Sequence, residues 1–444
     1  MVNRGNDSST GSIESLLEII KEEEFQSIAQ KASRKMLTLA SCLLDNTHKL
    51  NKKMYGILLK ESTDLEDLLD DHGARNNKTW VYFGELVASI RNFASVAYII
   101  SHILRRINLY RLNNQNEQSF ITDAQNILQF FNGSIIALFA SLKKEAELLS
   151  LESPSCMLTE EDVEENLVIK ILPHTIDEET VHEINENITR VATEFLAVIK
   201  ASEHLMFDNK VTDKNIEKLI PGKINEDTLR HAESKMHSLQ SMYDTYIHKT
   251  PVELKDDMLK SLRGHISISL HFLEIAQGLC HFVERHETKV RAESTMKRIE
   301  KIVSRKEVLD SIINFALYYY TQFIKSGLSL AESIVTHYTI VDAITLNVPQ
   351  GLGFHLRPST LVAKVVNNYG TKTTLVVNNK EFDAASVIDM MWAAGIIKKE
   401  GITAVEFRGD KKTLHDLKIL AEVNYGEDTM GRSVPLPEEI SYLR

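Results

Sequence analysis

Proline, cysteine and tryptophan are scarce in this sequence: 8, 3 and 2 of 444 residues. No proline occurs before Pro154, and none occurs between Pro251 and Pro349. Proline breaks helix interiors, so two long stretches without it, rich in Leu, Ile, Ala, Glu and Lys, have helical composition. The three cysteines, Cys42, Cys156 and Cys280, form no CxxC pair. That spacing argues against a disulfide framework or a structural zinc site and fits a reducing compartment, with the cytoplasm as the expected location. The opening "MVNRGNDSSTGS" lacks the apolar stretch of a signal peptide. The longest nearly apolar run, Phe93 to Leu104, contains Ser95, Ser101 and His102 and falls short of the ~20 residues a bilayer span needs, so no membrane span is expected. Basic charge is also wanting. The net charge is -11, and residues 341 to 444 carry 12 basic against 13 acidic side chains, leaving -10 in the first 340. Without a basic footprint to meet phosphates, nucleic acid is not an expected partner.

What is present divides the chain. Long helices are expected at about 25–70, 79–111 and 118–150, with Thr79 as the N-cap of the second. They make residues 1–150 a helical bundle, and "SLESPSCMLTEEDVEE" places a linker at 151–176. A second helical bundle, 177–340, follows with helices at about 177–209, 226–249, 251–290 and 292–338. There Thr250 followed by Pro251 marks a helix start, because the first helical position needs no amide donor. "VASIRNFASVAYIISHILRRI" and "RGHISISLHFLEIAQGLCHFVERH" are loosely alike, which is either an internal duplication of a three-helix unit or a shared hydrophobic period. His271–Glu274 and His281–Glu284 are spaced to share a helix face, but convergent carboxylates for a metal are not identifiable. "LYYYTQF" at 317–323 is assigned to the bundle core.

From residue 341 to about 425 the texture is β-branched and alternating, in the order strand, helix, strand, strand, helix, strand, helix. Asn378 and Asn379 tolerate positive φ and mark a tight hairpin. Residues 426–444, with Pro435 and Pro437, are assigned to a C-terminal tail. The expected fold class is thus multidomain: an all-α helical region plus a compact α+β domain.

The chemistry concentrates in "GLGFHLRPST", residues 351–360. With His355 as N-cap, Leu356, Arg357 and Pro358 occupy the first helical turn, where amides lack intrahelical partners and proline costs no hydrogen bond. The free amides of Leu356 and Arg357, the positive helix end and the Arg357 guanidinium together suit a phosphate beside an imidazole. A neutral imidazole is a nucleophile that can take up and pass on a phosphoryl group. Gly353 lets the loop bend and be approached closely. No carboxylate base, P-loop or metal cluster is visible beside these residues, so no cofactor or metal is expected, and donor and acceptor come from outside.

Residues 341 to about 425 resemble HPr, the histidine-containing phosphocarrier protein of the bacterial phosphoenolpyruvate-dependent phosphotransferase system, in the motif Gly353-Phe354-His355-Leu356-Arg357-Pro358-Ser359 and in element order. The resemblance implies an open-faced β-sandwich in which His355 accepts the phosphoryl group through Nδ1 and Arg357 steadies it. An enzyme I-like protein would be the donor, and a sugar-permease component or a regulator the acceptor. It also implies that Ser386, 31 residues after His355, is a site for a serine kinase/phosphorylase, with Val387, Ile388 and Met391 as an apolar docking patch. Capping of the following helix is the other reading of Ser386. Leu352 stands where the family commonly has a small polar residue, and Trp392 is bulky for the docking face. The duplicated helical units and the Glu66–Asp70 spacing also resemble, more faintly, the phosphate-signalling regulator PhoU. Alternatives of another class are a noncatalytic adaptor controlled through Ser386 and a helical scaffold for homo-oligomerisation.

Overall fold

The computed structural model describes residues 19–112, 116–164, 184–287, 293–339 and 341–443. Four helices come first: α1 (Glu22–Leu44), α2 (Lys52–Asp71), α3 (Val81–Arg106) and α4 (Glu117–Leu148). The expected single helix over 25–70 is broken because Asn46 takes a left-handed φ of 53° and the Asn51 side chain caps α2 by accepting from the Met54 amide. Asn77, rather than Thr79, serves the start of α3: its side-chain oxygen accepts from the amides of Thr79 and Trp80 at 2.8 and 3.2 Å. Then come α5 (Ile184–Ala201), α6 (Glu226–Tyr246) and α7 (Asp257–Glu287). Thr250 and Pro251 do begin a helix, Pro251–Lys255, but it is short. Asp256 interrupts it, accepting from the Met258 amide and from the Tyr338 hydroxyl. A chain of helical segments closes the region: α8 (Arg305–Asp310), a π-helical stretch (Ser311–Leu317), α9 (Tyr318–Ser326) and α10 (Leu328–Tyr338).

α3 packs between α2 and α4, while α7 packs against α6 and the π-helical stretch, and α3 and α7 meet each other. Both are long and apolar enough to cross a membrane, yet about 67% and 72% of their apolar windows are buried against other helices. Residues from Phe25 to Ile334 share one continuous core, so the two expected bundles bury their apolar faces together. At its centre Phe120, Phe272, Phe315, Tyr319 and Phe323 form a ring cluster, which puts "LYYYTQF" in the core as expected. Residues 151–164, expected to be linker, lie along α1. Gln26 and Gln30 donate to the Leu149 and Glu152 carbonyls, and Ser41 donates to that of Pro154 at 2.8 Å. Cys42 and Cys156 are joined as a disulfide. This corrects the expectation from spacing: the fold, not a CxxC motif, brings together cysteines 114 residues apart.

The C-terminal region is a separate α+β unit with its own core, from Leu346 to Leu443. Strands β1 (Val341–Asn347), β2 (Thr374–Val377), β3 (Lys380–Asp383) and β4 (Ala404–Asp410) form an antiparallel sheet in the order β1-β4-β2-β3. Between and after them come α11 (Leu356–Tyr369), α12 (Val387–Glu400) and α13 (Lys411–Glu422). The strand and helix order is the one expected. Asn378 and Asn379 have φ of 50° and 60°, and the hairpin pairs Val377 with Lys380. Residues 426–443 are not a loose tail, because Ile440 and Leu443 are buried in the domain core. Apolar burial outweighs the two prolines, which only prevent a regular helix.

The domain docks on α5 of the helical body. Gly370, which ends α11 at a φ of 64°, lies so near Thr193 that a Cβ would meet its methyl group at 2.6 Å. Lys412 pairs with Glu186 across the same contact.

Candidate functional site

His355 is the N-cap of α11, so the first turn holds Leu356, Arg357 and Pro358. Val362, Val365 and Val366 face the domain core and fix the helix. Phe354 anchors the preceding loop, buried edge-on against Tyr425 at 5.0 Å between ring centroids. Ser359 donates to the Phe354 carbonyl and ties loop to helix. The loop enters through Gly351 and Gly353, both left-handed at φ of 91° and 68°. At Gly351 the constraint is also spatial, since a Cβ would lie 2.6 Å from the Thr429 carbonyl oxygen.

That close approach brings in a residue that the sequence reading missed. His355 Nε2 lies 2.7 Å from Glu427 Oε2, and Arg357 Nε lies 4.0 Å from Glu427 Oε1. The Glu427 side chain is only 5% exposed, whereas those of His355 and Arg357 are 33% and 47% exposed. A carboxylate accepts, so Nε2 carries the proton and donates it to Glu427, leaving the lone pair on Nδ1. The expectation that no carboxylate accompanies His355 is therefore corrected. Glu427 sits 72 residues away in sequence, in a segment taken for tail. Asn424, Tyr425 and Gly426, with φ of 48°, 57° and 79°, fold that segment back. Asn424 holds both sides of the junction, accepting from the Gln350 amide at 2.7 Å and donating to the Glu427 carbonyl at 3.0 Å. Asn-Tyr-Gly is a turn signal; its pairing with residue 350 is not readable locally.

Ser386 is not part of this constellation. It caps α12, accepting from the Asp389 amide at 3.2 Å. Its neighbour Ala385 accepts from Asn367, 12 residues along from His355 and so about 18 Å distant by helical rise. Of the proposed docking residues, Val387 is half-buried, while Ile388 and Met391 are exposed. Trp392 is 73% exposed, and so are Leu352, Leu356 and Met430 at 66%, 61% and 76%.

The motifs in the helical body are used internally. Glu66 is bound by Arg91 Nε at 2.5 Å and Arg285 Nη1 at 2.6 Å, and Asp70 pairs with Arg75, so the Glu66–Asp70 spacing serves ion pairs. Burial raises the Glu66 pKa, but the two guanidinium groups overcome it and hold the carboxyl below its ordinary value. His271 bonds to Glu274 at 2.8 Å as its spacing suggests, whereas His281 turns to Glu226 instead of Glu284.

Comparison with protein-family models, with curated proteins and with solved structures finds no match to this chain.

Proposed function

We propose that the C-terminal domain is an HPr-like phosphocarrier module that accepts a phosphoryl group on Nδ1 of His355. The observation that carries this reading is the Glu427 contact, which orients the ring and leaves Nδ1 as the nucleophilic nitrogen. The Nδ1 lone pair attacks the phosphorus of a phosphohistidine on an enzyme I-like donor. As the new P–N bond forms, the donor's P–N bond breaks and its electron pair returns to the donor nitrogen. The ring of His355 gains positive character, which the buried Glu427 carboxylate stabilises through Nε2–H. The Arg357 guanidinium, half-exposed and held only at 4.0 Å, is free to swing onto the phosphoryl oxygens, joined there by the first amides of α11.

The placement of the module supports the same reading. The domain is docked through the Gly370 end of α11, and the His355 end lies about 20 Å away by helical rise. The site therefore lies at the end of α11 away from that contact, with Leu352, Leu356 and Met430 exposed, and a second protein can cover it. The acceptor is a sugar-permease component or a regulator. A phosphate on Ser386 would place roughly -1.5 to -2 charge beside Ile388 and weaken docking without touching His355.

Incubation of the full chain with phosphoenolpyruvate and enzyme I from the same source tests the reading. The expected product is one acid-labile phosphate per chain, absent in His355→Ala. A chain that remains unlabelled under conditions that label the organism's free-standing carrier defeats it.

A further inference from the structure

A second chemical cluster lies in the helical body, where the 151–164 strap crosses the end of α1. The strap lays Cys156 against Cys42, and the turn after α1 brings His48 back to the same point. The Thr47 amide and hydroxyl both donate to the Cys42 carbonyl, at 3.2 and 2.8 Å, and the Thr47 hydroxyl lies 3.5 Å from Cys156 Sγ. The two sulfurs and a ring nitrogen of His48 all lie within 4.8 Å of one another. Cys42 is buried, while Cys156 and His48 are half-buried.

His48 Nε2 is 3.2 Å from the Leu158 carbonyl oxygen. A carbonyl only accepts, so Nε2 carries the hydrogen and Nδ1 the lone pair. Metal-binding histidines are held in this way, with one nitrogen donating to a backbone carbonyl and the other presented to the ion. Two thiolates and one imidazole are a soft donor set that suits Zn²⁺. Zinc bonds of roughly 2.3 Å to sulfur and 2.0 Å to nitrogen place tetrahedral ligand atoms about 3.5–3.8 Å apart. The three donor atoms already lie within 4.8 Å of one another, and the bonded sulfurs have to separate.

We propose that Cys42, Cys156 and His48 form a zinc site that exists only when the Cys42–Cys156 disulfide is reduced. A dithiol reductant supplies two electrons and two protons, and the S–S bond becomes two thiols while the reductant closes to its own disulfide. Zinc binding then releases both thiol protons to water and forms two Zn–S bonds and one Zn–N bond, with water in the fourth position. Peroxide reverses the process. The two thiolates give up two electrons and form the S–S bond, zinc is released, and the O–O bond is reduced, with two protons, to two waters. In both states the strap stays fastened to α1, but only one of them carries the metal.

The test uses the full chain, reduced until three free thiols per chain are counted in denaturant, and Zn²⁺ alone competing with a chromophoric chelator. The expected result is one zinc per reduced chain, with binding at least about 10- to 100-fold weaker in the oxidised chain, in Cys156→Ser and in His48→Ala, because losing a ligand costs no less than losing a group that only orients one. Cobalt in place of zinc should give thiolate-to-metal charge-transfer absorption that Cys156→Ser loses. Peroxide should release one zinc for each disulfide formed. Cys42 is buried and its replacement risks the fold, so Cys156→Ser, checked by circular dichroism, carries the test. Reduced wild type that binds no more tightly than Cys156→Ser overturns the proposal, as does tight binding that survives in both variants.

Discussion

Glu66 and Glu427 are both buried carboxylates, 6% and 5% exposed, yet one is cement and the other belongs to a reactive site. Glu66 ties α2 to α3 and α7 through Arg91 and Arg285, whose side chains are 28% and 7% exposed. The charge is enclosed together with Arg285, and the more exposed Arg75 approaches it only to 4.0 Å. Glu427 faces a histidine and an arginine that are themselves open to solvent. The comparison teaches that a buried anion acts structurally when guanidinium groups from other helices, one of them enclosed, close on it, and directs chemistry when it holds an exposed nucleophile. Within the C-terminal domain the same contrast holds: buried Asp416 is fastened by the Tyr369 and Tyr442 hydroxyls, while buried Glu427 aims an exposed nucleophile outward.

The strongest way to break the comparison is Glu66→Ala. Removing the anion takes from Arg285 its 2.6 Å partner and leaves it Glu85 at 3.7 Å, and loss of one partner from a buried pair costs about 3 kcal/mol. Urea unfolding followed by circular dichroism should show that loss, while histidine labelling below the transition stays unchanged. Next comes acid. His265 is fully enclosed, donates from Nδ1 to the Phe323 carbonyl at 2.8 Å, and burial lowers its pKa to about 4. Between about pH 6.5 and 4 the unfolded chain binds a proton there and the folded chain does not. The stability this neutral histidine contributes is thus fully present above about pH 6.5 and is lost as the pH falls toward 4, amounting to roughly 3 kcal/mol. Unfolding free energies at pH 7 and 4.5 should show the slope, and His265→Gln should reduce it, leaving the share of His102, whose pKa burial also lowers to about 4.

Glu427→Gln sharpens the comparison from the other side. The amide oxygen still accepts from Nε2–H, but the charge that stabilises the phosphorylated ring is gone. A charge-assisted hydrogen bond is worth about 1.5–3 kcal/mol, so phosphorylation of His355 should slow about 10- to 100-fold, measured with rapid quench. Stability should change less than in Glu66→Ala, because the partners left behind are wet. Equal losses of stability in the two variants would erase the distinction drawn here.

Legibility followed the same line. Features set by neighbours in sequence were readable: the Asn378–Asn379 hairpin, the Thr250–Pro251 helix start, and His355 with Arg357 on the first turn of α11. The aromatic run at 317–323 was readable as core because burial follows composition. What failed was anything assembled across the chain. Glu427 reaches His355 only through three consecutive left-handed residues, and Cys156 reaches Cys42 only because a proline-containing strap finds hydrogen bonds along α1. Both lie in segments whose prolines and acidic residues look like linker or tail. Irregular backbone gives no periodic signal even when it is firmly held.

The smallest effect concerns Ser386, where both readings of the residue can be separated. Its hydroxyl accepts from the Asp389 amide, so Ser386→Ala should cost the C-terminal domain about 1 kcal/mol, seen as a lower unfolding midpoint for that domain alone. The lost cap belongs to α12 while His355 starts α11, so the rate of histidine phosphorylation should not change. Ser386→Asp keeps a capping oxygen and adds one charge beside exposed Ile388 and Met391. Its stability should equal or exceed that of the parent, while its KM for the phosphoryl donor rises several-fold and kcat holds. If the aspartate variant alters neither constant, Ser386 is a cap and the apolar face of α12 is not where the donor docks.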